Sequence, residues 1–216
     1  LHDYWALSGR CASPSAFSCV GYARGCTECH FRQNYPKTWV SRSKQNFLEK
    51  RLKFASQNIF PVCVSEHQRS IIESNDVFKN KSAVIENGIK HNETLKTLKK
   101  RRPKEYKIKL GFIANSWTEA KGLDDLNALI KTASNSSFEC VLVIAGLSSL
   151  PSGGHSLRNV EIAGKLNTLS DLNDFYCSID ILVNLSKIDT FGMVNIEALG
   201  NMVPVIARPI EPYLSL

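Results

Sequence analysis

Residues 178–207 read SIDILVNLSKIDTFGMVNIEALGNMVPVIA, and this stretch decides the fold class. Residues 178–185 form an apolar run suited to a buried strand, and 203–207 form a second. Between them, from Met193 onward, Val194 and Ala198 fall one helical turn apart and predict a helix. Strand, loop, helix and strand in that order is a unit of a parallel α/β sheet, because parallel neighbours need a crossover connection. Asp189 then stands in the loop at the carboxyl end of the first strand, and Glu197 in the early turns of the helix, with Phe191-Gly192 between them. Ligands of open α/β sheets bind at that edge. A carboxylate there accepts hydrogen bonds from sugar hydroxyls, while unpaired amide N–H groups at a helix start face a diphosphate. Together these features point to a nucleotide-sugar site.

The same alternation extends toward the amino terminus. Residues 108–116 (IKLGFIANS) read as a strand and a polar loop; the following WTEAKGLDDLNALIKTA carries Leu123, Leu126, Leu129, Ile130 and Ala133 on one helical face. Lys121 lies just before that helix, where its charge adds to an amide field that already favours phosphate. Segments 140–145, 160–163, 169–177, 179–185 and 203–207 continue the strand and helix pattern and predict a Rossmann-like parallel sheet. Gly146 and Gly164 follow strands, where a backbone without Cβ can approach a ligand. Farther forward, Phe47, Leu48, Leu52 and Ala55 lie at helical spacing within 41–58, 59–64 reads as a strand, and Ser65-x-x-Gln68 reads as a capping box. An Asn87-Gly88 turn follows 82–86. The expected organisation is a first domain over 1–90, a basic linker over 91–107 and a second domain over 108–216.

The Asp189-to-Glu197 run resembles the retaining family 4 glycosyltransferases, whose signature is two glutamates eight apart around Phe-Gly, then E-A-L and a Pro-Val strand. Here Glu197-Ala198-Leu199 and Pro204-Val205 match, and Asp189 replaces the first glutamate. Lys121-Gly122 also matches, with Ser116 where the family commonly carries an arginine. The amino-terminal string His2-Asp3-Tyr4-Trp5, Ser8-Gly9-Arg10-Cys11, Gly25-Cys26-x-x-Cys29 and Asn34-Tyr35-Pro36 is similar to a bacterial subgroup that builds exopolysaccharide, capsule, colanic-acid-like or lipopolysaccharide chains. The resemblance implies a GT-B-like α/β fold of two Rossmann-like lobes. Because the chain opens at Leu1 inside a motif and closes just past a strand, the amino-terminal lobe is expected to be incomplete and the carboxyl end missing.

What the resemblance implies for the site follows residue by residue. Glu197 binds the nucleotide's ribose, the amides of Phe191, Gly192, Met193 and Val194 face donor sugar and phosphate, and the backbone of Lys165 and Leu166 meets the base. Asp189 contacts the donor sugar, Lys121 the diphosphate, and His2 approaches the sugar or phosphate from the acceptor-side domain. The implied reaction moves a sugar from a nucleoside diphosphate donor to a glycan or lipid-linked acceptor with retention. Catalysis then rests on electrostatic stabilisation of the departing diphosphate. No Asp-x-Asp motif stands near the donor site, so no catalytic cation is expected. A competing reading is a non-catalytic nucleotide-sugar-binding or scaffold fragment. A dehydrogenase is disfavoured because no G-x-G-x-x-G follows a predicted strand.

Net charge is +7, and Lys96, Lys99, Lys100, Arg101, Arg102 and Lys104 supply six of it. A nucleic-acid groove needs basic and aromatic residues spread along a face, so no nucleic-acid partner is expected. A basic linker suits anionic lipid headgroups and a peripheral place at the inner face of the membrane; a solvated charge run is the alternative. The chain is read as cytoplasmic. Of its seven cysteines, Cys63, Cys140 and Cys177 lie in or beside apolar segments and read as buried thiols. Cys11, Cys19, Cys26 and Cys29, spaced C-x7-C-x6-C-x2-C in a polar segment, are compatible with a structural zinc, free thiols or disulfides.

Overall fold

The computed structural model describes residues 1–12, 19–27, 29, 37–89, 107–133, 139–148 and 159–215. The Asn34-Tyr35-Pro36 motif and the basic run 96–104 of the expected linker lie outside them. Two units emerge from the described chain. The first comprises Leu1–Asn87 with Ile188–Phe191 and Leu214–Leu216, the second Gly88–Lys187 with Gly192–Tyr213.

In the first unit, α1 (Ser43–Ser56) is followed by β1 (Val62–Cys63), α2 (Glu66–Glu73) and β2 (Ala83–Val84). The two strands pair in parallel, Val62 opposite Ala83 and Cys63 opposite Val84. Tyr4, Leu7, Cys63, Ile72 and Phe78 form the core. The strand expected over 59–64 shortens to two residues for identifiable reasons. Pro61 has no N–H to offer a ladder, and the Val64 N–H donates to Gln68 Oε1 at 2.9 Å instead of to a strand. The capping box is therefore displaced. Ser65 Oγ accepts from the Gln68 N–H at 3.1 Å, but the Gln68 side chain reaches back to Val64, not to Ser65.

The expected apolar face of α1 also needs correction. Leu48 and Leu52 are 47% and 71% exposed, and Ala55 is exposed too. Phe47, Lys50, Arg51 and Phe54 turn inward instead, with the Phe54 ring tilted against Phe78, centroids 5.5 Å apart. Lys50 contributes its aliphatic stem and directs its ammonium to the carbonyls of Trp5 and Ser8, at 3.0 and 2.9 Å. Such long cations behave as amphipaths, which a purely apolar pattern cannot register.

The second unit is a five-stranded sheet of β3 (Lys109–Ile113), β4 (Val141–Ala145), β5 (Val160–Gly164), β6 (Ile181–Asn184) and β7 (Val205–Ala207). Every pairing is parallel, and the order is β5-β4-β3-β6-β7. The chain thus builds outward from β3 to one edge and returns beside β3 to build the other. A topological switch point results between β3 and β6, and crevices at such points bind ligands outside the strands' carboxyl ends.

Helices α3 (Leu123–Ala133), α4 (Leu169–Ser178) and α5 (Met193–Gly200) connect the strands. Side-chain alternation along β4 feeds two cores. Leu142 and Ile144 join Phe112 and the α3 residues Leu126, Ile130 and Ala133; Val143 and Ala145 join Phe175, Tyr176, Ile179 and Leu182. The strand expected from 178 starts at Ile181, because Ser178 ends α4 and Ile179 packs over Gly111.

Candidate functional site

A cavity of about 380 Å³ opens at the carboxyl ends of β3, β4 and β5. Ala114 and Asn115 line it from β3, Gly146 from β4, 165–168 from the loop after β5, and Val194 from α5. Local chemistry fixes that loop. Thr168 Oγ1 accepts from the Asp171 N–H at 3.1 Å, while Asp171 accepts from the N–H groups of Asn167 and Thr168 at 2.9 Å each. These amide bonds, Asn167 first, hold the Asp171 carboxyl below its ordinary range. Loss of an N-cap hydroxyl costs about 1 kcal/mol. Thr168→Ala is expected to lower unfolding free energy by that amount in urea titration, with the slope unchanged.

The first turn of α5 carries neither a side-chain cap nor an acidic residue. Gly192, at φ 97°, is its N-cap. The leading amides, including those of Met193 and Val194, have no intrahelical acceptor by geometry. By contrast, α3 carries Asp124 and Asp125 in its first turn, paired with Lys187 and Arg208 at 2.6 Å each. Its positive end is already answered by its own carboxylates. The polar environment of α5 is fixed by a buried network: Asn184 Nδ2 donates to Asn195 Oδ1 at 2.8 Å and to the Tyr213 hydroxyl at 3.0 Å, and Ser186 N–H donates to Asn184 Oδ1 at 3.0 Å.

Glu197 lies about one turn beyond Val194 on α5. Its Oε2 accepts the Tyr176 hydroxyl at 2.9 Å. Burial pushes the Glu197 carboxyl up, and the Tyr176 hydroxyl partly offsets this. Tyr176, 1% exposed, is itself held far above the usual phenol range by burial and by the charge of Glu197. One carboxylate oxygen is therefore oriented from beneath.

The sequence-predicted site residues divide between the two units. Lys165, Leu166 and Val194 line the cavity. Ser116 is exposed in the loop after β3, and Lys121 sits on the 3-10 turn Glu119–Lys121 that precedes α3, outside the cavity-lining set. Asp189 and Phe191 belong to the first unit, where Asp189 Oδ1 accepts from the Thr190 N–H at 2.9 Å and Phe191 is buried. Thr190 Oγ1 donates to the carbonyl of exposed His2 at 3.2 Å, and Ser65 Oγ donates to the Thr190 carbonyl at 2.8 Å.

Cys11 is buried, and Cys19, Cys26 and Cys29 half-buried, in the first unit. Burial raises the thiols of Cys11 and Cys26, with the Gly9 N–H pulling Cys26 the other way. Of the remaining three cysteines, Cys63 is buried as expected, but Cys140 is only partly buried and Cys177 is exposed. Cys177 lies on the outer side of α4, beyond the inward pair Phe175 and Tyr176. No described helix is long and apolar enough to cross a membrane.

Sequence reasoning missed Tyr176, Asn184, Asn195 and Tyr213. Asn184 had a signal, a polar residue at a buried position of an apolar strand, which demands a partner. Tyr176 and Tyr213 had none, since only the tertiary fold brings them to α5.

Known proteins share the family and the fold of this chain. Residues 107–214 match the family described as Glycosyl transferases group 1. Over 216 residues, 96% of this chain and 50% of the relative, there is 27% identity to the chain named as the colanic acid biosynthesis glycosyl transferase WcaC of Escherichia coli (strain K12). The chain thus spans half the length of that relative. Among solved structures, WaaG, a glycosyltransferase involved in lipopolysaccharide biosynthesis, superposes with a TM-score of 0.58 at 14% identity, covering 91% of this chain and 56% of that one. Anabaena Alr3699/HepE, solved in complex with UDP and glucose, gives 0.56 at 15% identity, covering 79% and 50%. These structural likenesses show a shared α/β fold of the GT-B-like class. With half of its residues matched by the family, the chain belongs to the group 1 glycosyl transferases.

Proposed function

We propose that this chain carries the donor site of a glycosyltransferase that moves a sugar from a nucleoside diphosphate to a glycan or lipid-linked acceptor, with retention, in surface polysaccharide biosynthesis. The observation that carries the reading is the cavity at the strands' carboxyl ends, bounded by the uncapped, acid-free start of α5 with Glu197 one turn further along. A base fits against the backbone at Lys165 and Leu166. Ribose hydroxyls donate to Glu197, whose second oxygen Tyr176 already holds. The diphosphate meets the amides of Gly192, Met193 and Val194, which need no reorganisation as charge develops on the leaving group. Lys121 adds a cation to the diphosphate, and Asp189 and His2 act on the donor sugar. The binding of UDP by a neighbour of the same fold supports a nucleoside diphosphate. The basic run 96–104 supports a peripheral contact with anionic lipid on the cytoplasmic side, where lipid-linked acceptors are presented.

A second reading, binding without turnover, is favoured by Ser116 and Asp189, which depart from the family's arginine and glutamate. Incubation with labelled UDP- and GDP-sugars separates the two. Release or transfer of labelled sugar is expected; saturable binding with no release supports the second reading. The role of Lys121 has its own signature. Lys121→Met keeps the aliphatic stem and removes the point charge, so affinity for a nucleoside diphosphate is expected to fall several-fold more than affinity for the bare nucleoside. Equal losses in calorimetry would remove Lys121 from the diphosphate.

A further inference from the structure

We infer that a cavity between the amino-terminal turn and α1 is a second ligand site, which takes a sugar carrying a phosphate or carboxylate group. The cavity has a volume of about 470 Å³, and Trp5, Arg10, Asn46, Glu49, Lys50 and Lys53 stand in its lining. All of them belong to the first unit, whereas the donor cavity belongs to the second, so the two sites stand or fall separately. The volume is that of a small-molecule site, and an aromatic face beside a few polar groups is the usual lining of one.

Charge decides the class of ligand. The lining sets Arg10, Lys50 and Lys53 against Glu49, whose Oε1 accepts from Gln45 Nε2 at 2.8 Å. Lys50 Nζ lies 3.3 Å from the centroid of the Trp5 ring and donates to the Trp5 and Ser8 carbonyls at 3.0 and 2.9 Å. These partners are dipoles and a ring quadrupole, not anions. Burial pushes the Lys50 amine down to about 8, while Cys26, Asp3 and Cys11 pull it upward. A half-buried cation held by carbonyls gains when an anion enters beside it, because Coulomb attraction strengthens as water leaves.

Arg10 and Lys53 supply the charged donors, the first as a planar fork and the second as a point charge. Trp5, 49% exposed, leaves indole surface open to the C–H face of a sugar ring, and Asn46 and Glu49 offer partners to its hydroxyls. The wall is already formed. A Cβ on Gly9 would run into the carbonyl of Ser43, the first residue of α1, so the turn that carries Arg10 lies directly on the helix backbone. The two Lys50 bonds tie the same turn to α1, and Arg10 Nη1 is directed to Cys29 Sγ at 3.6 Å.

Calorimetry of the whole chain with glucose 1-phosphate, glucuronate, inorganic phosphate and glucose tests the site, each titrated with uridine diphosphate present to occupy the donor cavity. At least one of the two anionic sugars is expected to bind about tenfold or more tighter than glucose, and glucose 1-phosphate tighter than inorganic phosphate. The tighter of the two sugars names the anion. Lys53→Glu, an exposed change on α1, should weaken that sugar by about tenfold or more, and Glu49→Gln should strengthen it, while uridine diphosphate affinity stays unchanged in both. Affinity should also fade as pH rises through 8, where Lys50 loses its charge. If Lys53→Glu does not fold, Glu49→Gln and the pH series still decide. A folded chain that binds neither anionic sugar, glucose bound as tightly as both, glucose 1-phosphate no tighter than phosphate, or affinities that the lining variants leave unmoved would overturn the site. Loss of uridine diphosphate binding alone would count against the donor cavity and not against this one.

Discussion

Gly146→Ala is expected to destabilise the carboxyl-terminal unit by roughly 3 kcal/mol or more, combining left-handed backbone strain with overpacking. Gly146 has φ +87°, and a Cβ built on it would sit 1.7 Å from the Ala114 carbonyl oxygen. That oxygen belongs to backbone, so no side-chain rotation relieves the clash. Movement of either segment has further costs. The Gly146 N–H donates to the Gly164 carbonyl at 2.7 Å, and the neighbouring Ala145 carbonyl accepts from Trp117 Nε1 at 2.8 Å. The substitution therefore pushes apart the strand ends that line the cavity. Urea unfolding should show the lost stability, and nucleotide binding should weaken with it. A variant as stable as the parent chain would mean that Gly146 serves a ligand and not the packing of β3 against β4.

Glu197→Gln is expected to weaken binding of nucleosides and nucleoside diphosphates together, by about tenfold or more. Charge-assisted hydrogen bonds contribute roughly 1.5–3 kcal/mol, and about 1.4 kcal/mol is a factor of ten in affinity. The fold should respond in the opposite direction. Burial raises the Glu197 carboxyl, so above the usual carboxylate range the ionised side chain opposes folding; that penalty disappears as pH falls below its unfolded value. A neutral glutamine can still accept from Tyr176 and carries no such penalty. Thermal stability at neutral pH should therefore equal or exceed that of the parent while affinity drops. A parallel fall in stability and affinity would assign Glu197 to structure alone.

The contrast between these two positions shows what the amino-acid sequence reveals. The βα alternation was legible from 108 onward because buried parallel strands read as apolar runs, and α3 as a 3.6-residue pattern whose Leu126, Ile130 and Ala133 are buried. The helix holding Glu197 was legible for the same reason. Boundaries were not. Ser178 was read into a strand because the apolar character of Tyr176, Cys177 and Ile179 continues across the end of α4, and only the packing of Ile179 on Gly111 marks the break. In the first unit, Lys50 and Arg51 replace Leu48 and Leu52 on the inward side of α1, since each cation has an acceptor there, the Trp5 and Ser8 carbonyls for Lys50 and the Asp76 carboxylate for Arg51. The support beneath Glu197 and the Asn184, Asn195 and Tyr213 network depend on residues distant in sequence, so pattern and spacing are silent about them.

The most direct measurement is calorimetric titration of the chain with uridine and guanosine diphosphates against their nucleosides. One diphosphate is expected to bind at least about tenfold more tightly than its nucleoside, as two or more amide-to-phosphate bonds require. Saturation should also raise the unfolding midpoint. A folded chain that binds neither diphosphate, or binds diphosphate and nucleoside equally, would contradict a donor site at the start of α5.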